Sequence, residues 1–178
     1  MQISDNELIA QFLTYKDQAV FAELLKRYQS PIRQFLRRLT AGDHATVDDL
    51  AQETFMRMLS SLDTFRGDSK LSTWLHKIAY HCFLRNQESN SKMHFADASL
   101  LTNLVAEPSN DMSDIMLEQL MAYLNIDERL MLTLSLAAGM SHSEIATVTG
   151  APLGTIKSHI NRGKVKLTKL LNLEESAA

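Results

Sequence analysis

The sequence of 178 residues contains one cysteine, three prolines and one tryptophan. A single cysteine, Cys82, excludes an intramolecular disulfide and a zinc site built from several cysteines. No apolar run approaches the roughly 18 residues that a membrane span needs, and the start of the chain shows no secretory signal pattern. We therefore expect a cytoplasmic protein with no membrane insertion.

Motifs that are typical of enzymes are also missing. The chain has no glycine-rich phosphate loop, no HExxH and no nucleophile elbow. Its six histidines are scattered, and none is paired with another histidine four residues away. We therefore expect a protein without catalytic activity, metal ion, cofactor or small-molecule substrate.

The stretch from Ala138 to Leu171 has the pattern of a helix-turn-helix. Ser141, with Glu144 three residues later, predicts the capped start of a short helix. Gly150 predicts the turn, and Pro152 suits the first turn of the next helix. Apolar residues then recur at helical spacing along that second helix: Leu153, Ile156, Ile160, Leu167 and Leu171. Two short helices joined by a glycine-containing turn are typical of DNA-binding domains.

The charge pattern indicates what the second helix does. Between Gly150 and Leu171 there is no Asp or Glu, although the whole chain has a net charge of −3. The basic residues of this span are Lys157, Arg162, Lys164, Lys166 and Lys169. Small polar and basic side chains on the side away from the leucines suit base edges and phosphates: Thr155, Lys157, Ser158, His159, Asn161 and Arg162. The alternative is a solvated basic helix of a bundle.

The N-terminal part reads as a helical bundle. Ser4 and Asp17 predict the caps of two helices, and Thr46 predicts the start of a third. The inward side of the third helix is expected to hold Val47, Leu50, Ala51, Thr54, Phe55, Met58, Leu59 and Leu62. Its outer face is expected to hold Asp48, Asp49, Gln52, Glu53, Met56 and Arg57. An acidic face with a methionine is either a solvated surface or a docking site for a basic partner, and composition leaves both open.

A loop from Asp63 to Lys70 precedes the fourth helix. The helical spacing places one set inward: Leu71, Trp74, Leu75, Ile78, Cys82 and Phe83. The other side is expected to carry Thr73, His76, Lys77, Tyr80, His81 and Arg85. Aromatic and basic residues next to such a loop suit unstacked bases.

The apolar pattern is lost from Asn86 to Met112, which predicts a linker. Helices beginning at Ser113 and Asp127 follow, and leucine and methionine supply a second small core: Leu117, Leu120, Met121, Leu124, Leu130, Leu132, Leu134 and Leu136. We expect an all-α fold of two helical domains, residues 1–90 and 113–178, joined by a flexible linker over residues 91–112.

Three motifs in this order resemble a known family: DDLAQETF from Asp48, DTFRGDSKLSTWLHKIAY from Asp63 and SEIATVTGAPLGTIKSHINRGKVKL from Ser143. They are similar to those of extracytoplasmic-function sigma factors of the sigma-70 class. The resemblance implies sigma region 2 in the N-terminal domain and sigma region 4 in the C-terminal domain. It also implies a subunit that directs promoter-specific initiation by core RNA polymerase.

The resemblance further implies roles for individual residues. Asp49, Gln52, Glu53 and Met56 would bind the clamp helices of the polymerase β′ subunit, and region 4 would meet the β flap. Promoter DNA at the −10 element would contact Phe65, Arg66, Lys70, Thr73, Lys77 and His81. The −35 element would contact Pro152, Thr155, Lys157, Ser158, His159, Asn161 and Arg162. An anti-sigma factor, which could hold the protein at the inner membrane, is a further implied partner.

Several positions depart from the family pattern: residues 87–94 are less basic than usual, Asn125 replaces a frequent proline, and two histidines lie on the DNA-reading helices. His81 stands where Asn is usual, and His159 stands where Arg or Lys is common, so the promoter sequence is left open. Two other functions remain as alternatives. One is a stand-alone helix-turn-helix regulator, which would leave the first two motifs unexplained. The other is a helical sequestering protein such as an anti-sigma factor, against which the basic helix argues.

Overall fold

The computed structural model describes residues 3–94 and 112–175, and within these ranges the chain is helical with no strand. The all-α prediction is therefore confirmed for the described part. The chain divides into two compact units, Met1–Gln34 with Asp48–Ser99 and Phe35–Val47 with Leu100–Ala178. The domain boundaries expected from the sequence stay a prediction. Most of the predicted linker lies outside the described residues.

The first helix, α1 (Asp5–Tyr15), begins where the capping pattern predicts. The Glu7 amide donates to the Ser4 hydroxyl at 3.3 Å, and the Ser4 amide donates to the Glu7 carboxylate at 2.8 Å. Asp5 then ties α1 to the next helix, because it accepts hydrogen bonds from Arg27 at 3.0 Å and from the Tyr28 hydroxyl.

The second helix, α2 (Gln18–Leu39), is continuous. Its start has the predicted aspartate cap, since the Ala19 amide donates to Asp17 Oδ1 at 2.8 Å. Pro31 lies inside the helix, which continues to Leu39. The buried residues Leu24 and Ile32 give α2 its core-facing side.

The third helix, α3 (His44–Ser61), begins before the predicted Thr46. The cap is Asp43, which accepts from the Thr46 amide at 3.2 Å and from the Thr46 hydroxyl at 2.6 Å. Six residues of the predicted inward side are buried: Val47, Leu50, Ala51, Thr54, Met58 and Leu62. Phe55 is half-buried. The placement of Leu59 in the core is wrong, because its side chain is 42% exposed.

A short 3-10 turn (Leu62–Thr64) and a loop lead to α4 (Leu71–His94). This helix continues past Asn86, where the apolar pattern ends, so loss of the pattern did not mark the helix end. The periodicity of apolar residues shows which side of a helix packs against neighbouring elements. The helix itself can continue beyond the last residue that is packed in this way.

The C-terminal part begins with α5 (Met112–Ala122) and α6 (Ile126–Leu132). Helix α6 begins at Ile126, just before the predicted Asp127. Its cap is Asn125, since the Glu128 amide donates to Asn125 Oδ1 at 2.9 Å. A π-helical turn (Thr133–Ala137) extends α6. Leu120, Leu124 and most other predicted core residues are buried, but the placement of Leu136 in the core is wrong, because it is 61% exposed.

Candidate DNA interface and docking surface

The predicted helix-turn-helix is present as α7 (His142–Thr149) and α8 (Leu153–Glu175). The predicted capping box forms, with the Glu144 amide 3.3 Å from the Ser141 hydroxyl and the Ser141 amide 2.9 Å from the Glu144 carboxylate. Gly150 ends α7 with φ +73°, a left-handed conformation that glycine adopts without steric cost. The predicted turn is therefore confirmed.

Buried apolar residues hold the two helices together: Ile145 and Val148 of α7 with Ile156 and Ile160 of α8. The apolar stripe predicted for α8 is too long, however. Leu153 is 49% exposed and Leu171 is 41% exposed. The sequence pattern continues beyond the part of α8 that its neighbours cover.

The predicted DNA-reading side of α8 is open to solvent. Six of its residues are exposed: Pro152, Thr155, Lys157, Ser158, Asn161 and Arg162. His159 is half-buried, and its Nδ1 lies 3.4 Å from Arg162 Nη2. A helix whose exposed side carries small polar and basic side chains, and no carboxylate, can enter the major groove of DNA and bind its phosphates.

Two contacts between α6 and α8 were missed by sequence reasoning. Gly163 is buried against α6, and a Cβ at this position would lie 2.5 Å from Leu132 Cδ1. Lys166 Nζ lies 2.7 Å from Glu128 Oε2, and the Glu128 side chain is only 2% exposed. A glycine inside a helix is a sign of close packing that could have identified Gly163. No local pattern connects Glu128 to Lys166.

The outer face of α3 carries the residues predicted for polymerase docking. Asp49, Gln52 and Met56 are exposed, and Met56 is 62% exposed. Glu53 is half-exposed and accepts from Arg57 Nη2 at 2.7 Å. We call Asp49, Gln52, Glu53 and Met56 the α3 surface. An exposed methionine among carboxylates can pack apolar atoms of a basic partner, because its unbranched side chain adapts its shape.

The loop before α4 is anchored by aromatic packing. Phe65 and Trp74 are half-buried, with ring centroids 5.4 Å apart and planes at 55°. Trp74 is thus neither wholly core nor an exposed platform. Arg66, Lys70, Lys77 and His81 are exposed, as a DNA-contacting surface requires.

The open side of α4 is narrower than predicted. Thr73 is 2% exposed and His76 is 4% exposed, so their placement on this side is wrong. Neighbouring elements cover α4 on more than one side, and Thr73 and His76 are buried together with Leu75 and Ala79. His76 Nδ1 lies 2.7 Å from the Ser72 carbonyl oxygen. Burial lowers the pKa of His76, and the hydrogen bond to Ser72 opposes that shift only in part.

A cleft of about 620 Å³ lies next to the loop that precedes α4. It is lined mostly by polar residues of α1, α2, the loop and the start of α4: Ser4, Asp5, Asn6, Tyr28, Gly67, Asp68, Ser69, Lys70, Leu71 and Ser72. Tyr28 closes one side through its hydrogen bond to Asp5. Burial and that hydrogen bond raise the pKa of Tyr28, so its hydroxyl stays protonated at neutral pH.

The described residues contain no group of three or more His, Cys, Asp or Glu that could hold a metal ion. Among the helices of residues 3–94 and 112–175, none has the length and apolar character to cross a membrane.

Comparison with known proteins identifies the family. The sigma-70 region 2 model matches residues 24–92, and a sigma-70 region 4 model matches residues 114–167. The ECF RNA polymerase sigma factor EcfG of Rhodopseudomonas palustris is 33% identical over 75% of this chain and 76% of its own length. The ECF RNA polymerase sigma-E factor of Escherichia coli K12 is 31% identical over 92% of each chain.

A solved structure supports the same assignment. The sigma factor RpoE of Bartonella quintana, in complex with the anti-sigma factor NepR, aligns with a TM-score of 0.75 and 26% identity. The alignment covers 85% of this chain and 96% of that one. The protein therefore belongs to the extracytoplasmic-function sigma factors, and the predicted family is confirmed. Sigma factors are transcription initiation factors, and this class includes stress-response members.

Proposed function

We propose that this protein binds core RNA polymerase and directs it to promoters with two DNA-reading surfaces. The −35 element would be read by α8, and the −10 element by the loop before α4 together with the exposed side of that helix. The single observation that carries this proposal is the match to both sigma regions, 2 and 4, in one chain. A stand-alone helix-turn-helix regulator would need only the second.

The −35 surface would be the exposed side of α8. Thr155, Ser158 and Asn161 lie where short polar side chains can meet base edges, while Lys157 and Arg162 can hold phosphates. His159 differs from these because it is half-buried next to Arg162. We propose that His159 orients the Arg162 guanidinium and makes a weaker phosphate or guanine contact than an arginine would.

The −10 surface would read melted DNA. An extruded base has to leave the stack, which costs a few kcal/mol and requires a cavity to receive it. The cleft beside Gly67–Ser72 has room for a base, and Arg66, Lys70 and Lys77 supply positive charge close to it in the sequence. Lys77 and His81 extend the surface along α4. Buried Thr73 would act only indirectly, through the packing of α4.

The α3 surface would dock on the clamp helices of the polymerase β′ subunit, and the region 4 part would meet the β flap. Docking explains why Met56, at 62% exposure, interrupts a charged face. Two weak DNA contacts held on one polymerase act together, because the second becomes effectively intramolecular once the first forms. The isolated protein should then bind promoter DNA poorly.

An anti-sigma factor is the proposed regulator. The related sigma factor of Bartonella quintana was solved with such a partner. The partner would compete with polymerase by covering the α3 surface and the region 4 part. Weaker binding of Met56→Ala to both the inhibitor and core polymerase would identify this shared surface.

The test of the proposed function is run-off transcription from genomic DNA with purified core polymerase and this protein, followed by mapping of start sites. We expect new start sites that share −35 and −10 sequences. Initiation only where core polymerase already initiates would refute the proposal. Gel filtration and DNA binding without polymerase provide the control, since a tight operator-binding dimer would indicate the stand-alone regulator instead.

A further inference from the structure

One carboxylate is buried beneath the DNA-reading helix. The Glu128 side chain is 2% exposed, and its Oε2 accepts from Lys166 Nζ at 2.7 Å and from the Asn125 amide at 3.2 Å. Glu128 belongs to α6 and Lys166 to α8, so the pair joins the start of one helix to the far half of the other. The same carboxylate therefore completes a helix cap and an ion pair.

Gly163 makes the second contact between these helices. A Cβ there would lie 2.5 Å from Leu132 Cδ1 and 3.6 Å from Glu128 Cβ, so only glycine fits without movement. Gly163 and Lys166 are three residues apart and share one side of α8. The glycine sets the distance between the helices, and the ion pair limits rotation of α8 about its own axis.

Glu128 remains charged at neutral pH despite its burial. Burial raises the pKa of Glu128, but the hydrogen bonds from Lys166 and the Asn125 amide, together with the positive charges of Lys166 and Arg162, outweigh that effect, and the net pKa is lowered. The Lys166 ammonium thus faces a full negative charge at hydrogen-bond distance. Lys166 is itself 47% exposed. Lys164 is also exposed, but it lies two residues away, on the opposite side of the helix.

We propose that Lys166 is a positioning residue, which fixes the orientation of α8 through Glu128 and does not hold a DNA phosphate. This inference rests on the proposed reading of the −35 element by α8. From the sequence alone, Lys166 is one of several basic residues of α8, with no feature that separates it from the others. The ion pair removes it from that set and leaves Lys157, Arg162, Lys164 and Lys169 for the phosphates.

Salt dependence separates the two roles. Each phosphate contact releases counterions and contributes about 0.9 to the slope of log K against log salt. Holoenzyme reconstituted with Lys166→Met should keep the wild-type slope on a promoter with a −35 element. Lys164→Met is the matched control, because it removes a neighbouring exposed lysine by the same substitution.

Sequence discrimination gives the second readout. Loss of a phosphate contact weakens binding to all sequences alike, whereas misorientation of α8 affects base contacts. The ratio of affinities for intact and scrambled −35 elements should fall roughly 2- to 30-fold with Lys166→Met, the range expected for mutations that act through coupled contacts. Glu128→Gln should cause the same loss, although Glu128 is buried and lies on another helix. Lys166→Arg should restore discrimination.

Three results would overturn the inference: a slope reduced by about 0.9 in Lys166→Met, unchanged discrimination in that variant, or unchanged discrimination in Glu128→Gln. Circular dichroism of each variant verifies the fold, and Glu128→Gln, which leaves Lys166 in place, keeps the inference testable if the methionine variant unfolds. A wild-type holoenzyme that does not distinguish intact from scrambled −35 elements would instead refute the proposed function.

Discussion

Replacement of Gly163 by alanine should test how tightly α8 packs on α6. The new Cβ would lie 2.5 Å from Leu132 Cδ1 and 3.1 Å from Leu132 Cγ, far inside ordinary contact distance. Leu132 is 1% exposed, so its side chain has little room to move away. Overpacking of this kind costs about 1–3 kcal/mol of stability.

The same substitution also gives a gain. Alanine is about 1 kcal/mol more favourable than glycine inside a helix. The net change in the free energy of unfolding for Gly163→Ala is therefore a loss of about 0–2 kcal/mol. A second glycine of α8, around which an added Cβ meets nothing, serves as the control because alanine there causes no clash.

Gly154 provides that control. It lies in α8, and nothing is found within 4 Å of the Cβ that an alanine would add there. Gly154→Ala should stabilise the helix or leave it unchanged. The difference between the two variants isolates the steric clash and should reach about 1–3 kcal/mol.

Amide hydrogen exchange of the full-length protein can measure this difference, because it reports the opening free energy of α6 and α8 separately from other parts of the chain. Shortening the opposing side chain should reduce the penalty, so Gly163→Ala should cost less in a Leu132→Val background. Equal protection of α6 and α8 in the Gly154 and Gly163 variants would refute the close-packing argument.

Three further predictions concern caps, pH and docking. Ser141→Ala removes the α7 cap and should lower stability by about 1 kcal/mol in thermal unfolding. The lowered pKa of His76 means that the unfolded chain binds a proton more readily, so stability should fall as pH drops below about 6.5; His76→Gln should flatten this part of the urea-unfolding profile. Met56→Ala should make the protein a weaker competitor against another sigma factor for core polymerase, while its free energy of unfolding changes by no more than about 0.5 kcal/mol. Met58→Ala, at a fully buried position, should cost about 2–5 kcal/mol. The cap argument fails if Ser141→Ala is as stable as the wild type. The pH argument fails if His76→Gln leaves the loss of stability below about pH 6.5 unchanged. The docking argument fails if Met56→Ala and Met58→Ala are equally stable.

The sequence by itself determined the features that depend on neighbouring residues. Each helix cap, at Ser4 or Ser141, and the left-handed turn at Gly150 involve residues that are close together in the sequence. A short stretch of sequence is therefore enough to predict them. The exposed side of α8 and the outer face of α3 follow from helical period and polarity. The α3 and α8 features belong to two of the three motifs that carried the family resemblance, and the comparisons confirmed that family.

Only the tertiary structure decided how far each helix is covered. The helical period gives the direction of a buried stripe, but its width and length depend on which other helices lie against it. This is why Thr73 and His76 are buried, while Leu59, Leu136 and Leu153 are exposed.

Ion pairs between residues that are far apart in the sequence were likewise not predictable from the sequence. Lys166 looked like one of several bases on α8, and its partner Glu128 lies 38 residues earlier in the chain. Such an ion pair exists only because α6 and α8 pack closely at Gly163. Local interactions fix a residue's secondary structure, whereas its burial and its charge partner are fixed by the surfaces that folding brings together.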